Sequence, residues 1–283
     1  MEAENMSLAA LTEVLKAAEE GNYAVGNFDC FNLEMVKGVL RAAQELESPV
    51  IIAYGEPFIN HIDMPYFAKA VRCMAEAAEI PVVLHTDHFT NPDNIEKAMD
   101  CGFTSVMVDC SDKPYEVNVT NTKKVVELAH KHGISVESEL GHVSGLGELF
   151  EDDSHVFTDP QTARDFVERT GIDALAVSIG NVHGIYRAEP KLRFDILEEI
   201  FLKTGIPLVL HGASGIPDED IRRAVSLGIR KVNYYTDMCV AAVKRIEAAP
   251  GRHLFDLCGT ITEECYQTAY KKILVLKREN EQK

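Results

Sequence analysis

The sequence predicts an α/β fold: a closed (β/α)8 TIM barrel with extra helices at both ends. Three observations predict it. Short apolar runs rich in Val and Ile occur eight times, and amphipathic segments of helical period separate them. No linker, low-complexity tract or composition break divides residues 1–283, so a single domain is expected. An open, doubly wound sheet shares the alternation, but no GxGxxG follows the first run to favour it.

The elements read in order. A helical stretch over roughly 7–20 precedes the first run, YAVGNF (23–28). LEMVKGVLRAAQELE then leads to PVIIAYG (49–55), followed by PVVLHTD (81–87) and SVMVDCS (105–111). In the next helical segment Val117, Thr120, Lys124 and Leu128 recur at helical steps, with Val125 and Val126 alongside. SVESELG (135–141), ALAVSIG (174–180), PLVLHGAS (207–214) and KVNYYTD (231–237) complete the eight, and a helical tail covers 238–280. Several runs follow Pro or a Gly turn, as in SPV, IPV, HGIS and TGIPL, where a helix stops and a strand begins.

Composition narrows the function. A net charge of −17 argues against a nucleic-acid backbone as partner, because that requires basic surface. It also sets a puzzle for any anionic substrate, which local groups must then attract against the overall field. Seven cysteines without a CxxC pair read as reduced thiols of a cytoplasmic protein. No signal-peptide pattern and no membrane-length apolar stretch is expected to operate.

In such barrels chemistry gathers at the C-terminal strand ends, where the βα loops share one mouth. Asp87 and His88 close the third run, Glu137 and Glu139 lie in the fifth, and His183 follows the sixth. His211 ends the seventh, and Asn233, Thr236 and Asp237 end the eighth. A lone His at a strand end is more often a hydrogen-bonded structural residue than a ligand. Three at equivalent ends are better placed: His88, His183 and His211 could hold a divalent metal and leave room for substrate. His85 reads as a supporting residue. His61, His130, His132, His155 and His253 read as solvated surface, and His142 stays open.

HGASG offers a phosphate cradle. Gly212, Ala213, Ser214 and Gly215 precede the helix start IPDEDIRRA, and small residues there let amides approach an anion. Gly184, after His183, could act similarly. The competing reading of GASG is a tight turn and nothing more.

These motifs carry a resemblance. LHTDH, VESELG, TDPQTARDFVERTGIDALAVSIGNVHGIY, PKLRFDIL and VLHGASGIPDEDIRRAVSLGIRKVN stand in the order and spacing of the class II, metal-dependent ketose-bisphosphate aldolases. The chain resembles the fructose- and tagatose-bisphosphate members from about residue 8 to at least 240. The resemblance implies zinc ligands at His88, His183 and His211, and a catalytic acid/base at Asp87. It implies dihydroxyacetone phosphate binding by Gly184, the Gly212–Ser214 loop with Ala213, and the segment from Asn233 to Thr236. It also implies a carboxylate near the metal at Glu139, a monovalent cation near the phosphate, and a dimer or tetramer acting on a small sugar phosphate.

The expected chemistry is reversible cleavage of a ketose between C3 and C4, with zinc spreading the resulting charge as an enediolate. Asp87 would take the C4 hydroxyl proton. No lysine except Lys231, which starts the eighth run, stands at a strand end to form a Schiff base instead. The family places a proton-exchanging Glu in the loop after strand five, and Glu148 and Glu151 are both available there. Departures gather on the acceptor side. Asp29 stands for the usual Asn, Glu56 in YGEPF stands for a small or neutral residue, and VDCSDK and NYYTD are also altered. A substrate without a distal phosphate, a zinc barrel isomerase and a non-catalytic sensor are the other readings.

Overall fold

Eight parallel strands close on themselves in sequence order. The computed structural model describes residues 8–143, 157–186, 188–248 and 253–277. Helix α1 (Leu11–Gly21) leads into β1 (Val25–Asp29), α2 (Leu33–Glu45), β2 (Val50–Gly55), α3 (Met64–Glu76) and β3 (Val82–Asp87). Next come α4 (Pro92–Asp100), β4 (Ser105–Val108), α5 (Tyr115–Ala129), β5 (Ser135–Leu140), α6 (Pro160–Thr170) and β6 (Ala174–Val177). Then follow α7 (Phe194–Thr204), β7 (Leu208–Leu210), α8 (Asp218–Ser226) and β8 (Ile229–Tyr234), and α9 (Thr236–Glu247) and α10 (Leu254–Leu276) end the chain's described part. The barrel expected from the alternation is the barrel observed.

Local chemistry sets the boundaries. Asn32, Asn91 and Asp159 accept the first-turn amides of Met35, Asp93 and Thr162, satisfying donors that helices α2, α4 and α6 leave open. Gly171 and Gly205 end α6 and α7 in the left-handed region, at φ 71° and 63°, and release the chain into β6 and β7. Two strands differ from their sequence runs. β4 ends at Val108, so Asp109 and Ser111 lie in the mouth loop. β8 begins at Ile229, so Lys231 sits within the strand rather than at its start.

The strands are buried throughout their length, and the barrel interior changes character along its axis. At one end Leu11, Val14, Leu15 and Ala18 of α1 pack against Val25, Ile51, Val83, Met107 and Val209, closing the bottom of the barrel. Side chains alternate along a strand, so the same inward face continues two residues on at Asn27, Ala53, His85, Asp109 and His211, polar but for Ala53. On β8 the alternation turns Arg230 outward, where its Nε donates to Glu19 of α1 at 2.6 Å, while Lys231 is buried. Among the described residues, no helix is long and apolar enough to cross a membrane.

Helix α10 returns across α2 through a close contact at Gly38. A Cβ there would lie 2.5 Å from the Thr262 carbonyl oxygen and 2.9 Å from the Tyr266 amide. Gly38→Val is therefore expected to push the helices apart and cost about 1–3 kcal/mol, read as a lower denaturant midpoint at unchanged slope.

Candidate active site

The loops after β3, β6 and β7 bring His88, His183 and His211 to one cavity of about 720 Å³. His88 follows β3 at φ 50°, a left-handed conformation uncommon for a residue with a side chain. Consecutive residues of an extended strand face opposite ways. The turn at His88 breaks that alternation, and both Asp87 and His88 line the cavity.

Each ring is held through one nitrogen by an acceptor. His88 Nδ1 donates to Asp109 Oδ2 at 2.7 Å, His183 Nδ1 to the Val143 carbonyl at 3.1 Å, and His211 Nε2 to Glu137 Oε1 at 2.9 Å. These donations fix the tautomers and leave lone pairs on His88 Nε2, His183 Nε2 and His211 Nδ1. One nitrogen from each ring lies within 4.8 Å of the others. His88 Nε2 and His183 Nε2 face each other at 3.1 Å, an approach that two lone pairs tolerate only with positive charge between them.

The surrounding charges favour that positive charge. Burial alone would lower the His88 pKa, but Asp87, the hydrogen bond to Asp109 and the Glu139 carboxylate push it up to about 10. Burial, followed by the His88 charge, brings His183 down to about 4, and the same causes hold His211 well below the ordinary imidazole range. The anionic Asp87 and Asp109 thus focus on one point, and two neutral imidazoles flank it. A divalent cation fits this donor set, and three nitrogen ligands of this kind suit zinc.

Asp87 is fixed by its own contacts. Its Oδ1 accepts from Asn233 Nδ2 at 2.9 Å, and its Oδ2 lies 3.9 Å from His88 Nε2. Burial would raise its pKa, but His88, His211 and Lys231 together bring it below the usual carboxyl value. Lys231 Nζ donates to Asn233 Oδ1 at 2.8 Å, which sets the amide so that its NH2 faces Asp87. The same ammonium lies 2.9 Å from Glu137 Oε2, and both side chains are fully buried. Glu137 therefore joins Lys231, which orients Asn233, to His211. Lys231 serves inside the barrel, within β8 and not at the start of that strand as the sequence suggested.

The other candidates divide. Gly184, Gly212, Ser214, Asn233 and Thr236 line the cavity with the histidines and Asp87. Gly212 sits at φ 63°, where a Cβ would lie 2.2 Å from the Val182 carbonyl oxygen, so the loop approaches as closely as it does only because no side chain is present. Ala213 is fully buried and its amide donates to the Asn233 carbonyl at 3.3 Å, so it ties β7 to β8 instead of facing the cavity. Ser214 Oγ accepts from the Asp237 amide at 3.2 Å, holding the loop to the start of α9.

Glu139 lies on the Nδ1 side of His88, 4.0 Å away, with its other oxygen accepting from the Val143 amide at 2.9 Å. Burial and the neighbouring Asp109 push it up to about 8. With Asp109 and His88 it forms a second group of metal-competent atoms beside the three imidazoles. His142, left open by the sequence, stands at its rim with Nδ1 3.0 Å from Ser111 Oγ.

Glu56 is not where the sequence suggested. Its carboxylate accepts from the Thr90 amide and hydroxyl and the Asn91 amide, and from Asn94 Nδ2 at 2.8 Å, so it anchors the start of α4 and is not part of the cavity wall. Glu148, Glu151 and His155 lie outside the described residues. Asp109 is the supporting residue that sequence reasoning missed, whereas Glu137 and Lys231 were named there without the roles of holding His211 and Asn233. A polar residue one step past the fourth apolar run was the available signal for Asp109.

A model of the family described as "Fructose-bisphosphate aldolase class-II" matches residues 9–281. Fructose-bisphosphate aldolase of Staphylococcus aureus is 44% identical over 244 residues, 85% of each chain. The Escherichia coli K12 protein YdjI is 43% identical over 258 residues, 90% of this chain and 92% of its own. The crystal structure of that YdjI aldolase superposes with a TM-score of 0.88 at 37% identity, covering 98% of this chain and all of the other. A putative fructose-1,6-bisphosphate aldolase from Coccidioides immitis gives 0.87 at 30% identity, over 94% and 95%.

Proposed function

The chain belongs to the class II fructose-bisphosphate aldolase family, and from that premise we propose that it cleaves a ketose phosphate reversibly between C3 and C4, yielding dihydroxyacetone phosphate and an aldehyde. Membership makes it an enzyme of the carbon–carbon lyase class. The observation that carries the proposal is the convergence of three oriented imidazoles beside Asp87 in one cavity.

His88, His183 and His211 would hold a divalent metal, zinc by the chemistry of the set. When bound, the cation supplies Lewis acidity that polarises the C2 carbonyl and spreads charge left on the ketone fragment. Asp87 takes the proton of the C4 hydroxyl as the C3–C4 bond breaks. The electron pair of that bond stays with the ketone fragment, and C4 leaves as an aldehyde. Asn233, held by Lys231, keeps the Asp87 carboxylate aimed during the transfer.

A proton must then reach C3 of the ketone fragment. We assign that transfer to Glu148 or Glu151 by the family's pattern. The substrate phosphate is assigned to Gly184, Gly212, Ser214 and Thr236, where backbone amides and the start of α9 supply positive dipole ends. Such local dipoles answer the puzzle of a strongly acidic chain binding an anion.

The test follows dihydroxyacetone phosphate release from ketose phosphates before and after chelation. Release is expected to vanish with the chelator and return when zinc is added. Undiminished release from a protein shown to be stripped of metal would refute the metal-dependent reading.

A further inference from the structure

We propose that Asp29 is a positioning residue for the proton acceptor of this site: its carboxylic acid donates a hydrogen bond to the Asp87 carboxylate and, together with Asn233, keeps that group aimed at the substrate hydroxyl. The inference rests on the aldolase reading above and adds to it a second donor that holds Asp87.

The barrel brings the two carboxyls together across β2. Asp29, the last residue of β1, pairs in register with Ala53, and Gly55, two residues on, pairs with Asp87. Residues two apart share a face, so β2 offers Ala53 and Gly55 between the two acids. Nothing larger than a methyl group stands there. Both acids line the cavity, and their carboxyls hydrogen-bond to each other.

A bond between two carboxyls needs a proton on one of them, and their surroundings decide which. Asp87 Oδ1 accepts from Asn233 Nδ2 at 2.9 Å, a bond that favours the anion. Asp29 is only 8% exposed, and no donor reaches its buried Oδ1 among the described residues. A charge there would lack both water and a partner, whereas a neutral acid is far less costly to bury. Burial, followed by the Asp87 charge, raises the Asp29 pKa well above the ordinary carboxyl range, against the smaller pulls of Lys231 and His88. Tyr235 and Cys239 also face Asp29, and burial keeps both neutral. Asp29 is therefore the acid of the pair and Asp87 the base. With donors from β1 and β8, Asp87 loses rotational freedom and keeps its remaining lone pairs for the C4 hydroxyl. The proton leaving that hydroxyl goes to Asp87, and Asp29 retains its own.

The experiment compares zinc-loaded wild type with Asp29→Asn, which keeps a donor of the same shape, and Asp29→Leu, which keeps volume but no donor. Cleavage is followed with fructose 1-phosphate or fructose 1,6-bisphosphate, whichever the wild type takes faster. Solvent deuterium exchange at C3 of dihydroxyacetone phosphate reports the ketone half-reaction, in which Asp87 has no part. Asp29→Leu is expected to lower kcat for cleavage by about 10–100-fold while exchange stays within about twofold, and Asp29→Asn to restore most of the lost cleavage. Equal losses of cleavage in the two variants would overturn the donor role. So would an Asp29→Leu enzyme that cleaves normally, or one whose exchange falls in step with cleavage, since Asp29 would then support structure alone. The infrared difference spectrum of wild type against Asp29→Leu tests the acid without any substrate. It should show the C=O stretch of a neutral carboxyl at neutral pH, and a carboxylate band in its place would contradict the inference. A wild type with that stretch but neither exchange nor cleavage would refute the aldolase reading and leave the carboxyl pair standing.

Discussion

Asp87→Asn is expected to reduce the rate of aldol cleavage by about 10²–10⁴-fold, the usual worth of a positioned proton acceptor. The substitution removes the basic oxygen pair while keeping shape and volume. The contact from Asn233 involves Oδ1, and an amide oxygen accepts it as well as a carboxylate does. The three imidazoles keep their acceptors on Asp109, Val143 and Glu137, so metal content is expected to stay at the wild-type level. The variant thus separates proton transfer from metal holding, and both are measured on the same sample by steady-state kinetics and elemental analysis. Since Asp87 lies below the usual carboxyl pKa, its base form prevails at neutral pH, and wild-type cleavage should fall only as the pH drops into the acidic range. A variant with near-normal kcat would remove Asp87 from the mechanism.

Lys231→Met has the largest expected effect on stability, about 3–5 kcal/mol, because it leaves the Glu137 carboxylate buried without its ammonium partner. The pair lies 2.9 Å apart with both side chains fully inaccessible. The same change frees Asn233 Oδ1 and loosens the amide that aims Asp87. A double variant, Lys231→Met with Glu137→Leu, separates the two consequences. Apolar replacement of both members of a buried pair is often neutral, so denaturation should recover most of the stability. Metal affinity should not recover. His211 would have lost the acceptor that fixes its tautomer, and loss of such a partner typically weakens metal binding by about 10–100-fold. Equal recovery of stability and metal affinity would show that Glu137 only balances Lys231.

These two residues also mark the limit of what the sequence made legible. The barrel was readable because a parallel strand buried on both faces has to be a short apolar run, and a covering helix has to be amphipathic. The mouth was readable for the same reason: Asp87, His88 and His211 interrupt apolar runs at their C-terminal ends, where nothing in the core requires a polar group. Within β8, however, Arg230 and Lys231 resemble the solvated approach to a strand. One faces α1 and Glu19, the other faces the barrel axis and Glu137, and only the closure of the sheet decides which. Glu56 misled in the opposite direction. A charge next to a strand end looked like a substrate contact, but four donors at the start of α4 claim it. Such partners lie about 35 residues away in the chain, and local spacing carries no trace of them.

The most direct measurement is a zinc titration of the stripped protein, following deuterium exchange at C3 of dihydroxyacetone phosphate at each addition. Exchange is expected to rise in proportion to bound zinc and to break sharply near about one equivalent per chain, as a single three-imidazole centre requires. His183→Ala should abolish the break. Full exchange with far less than one equivalent bound, or a fully loaded chain that exchanges nothing, would contradict the assignment of this cavity as a metal-dependent aldolase site.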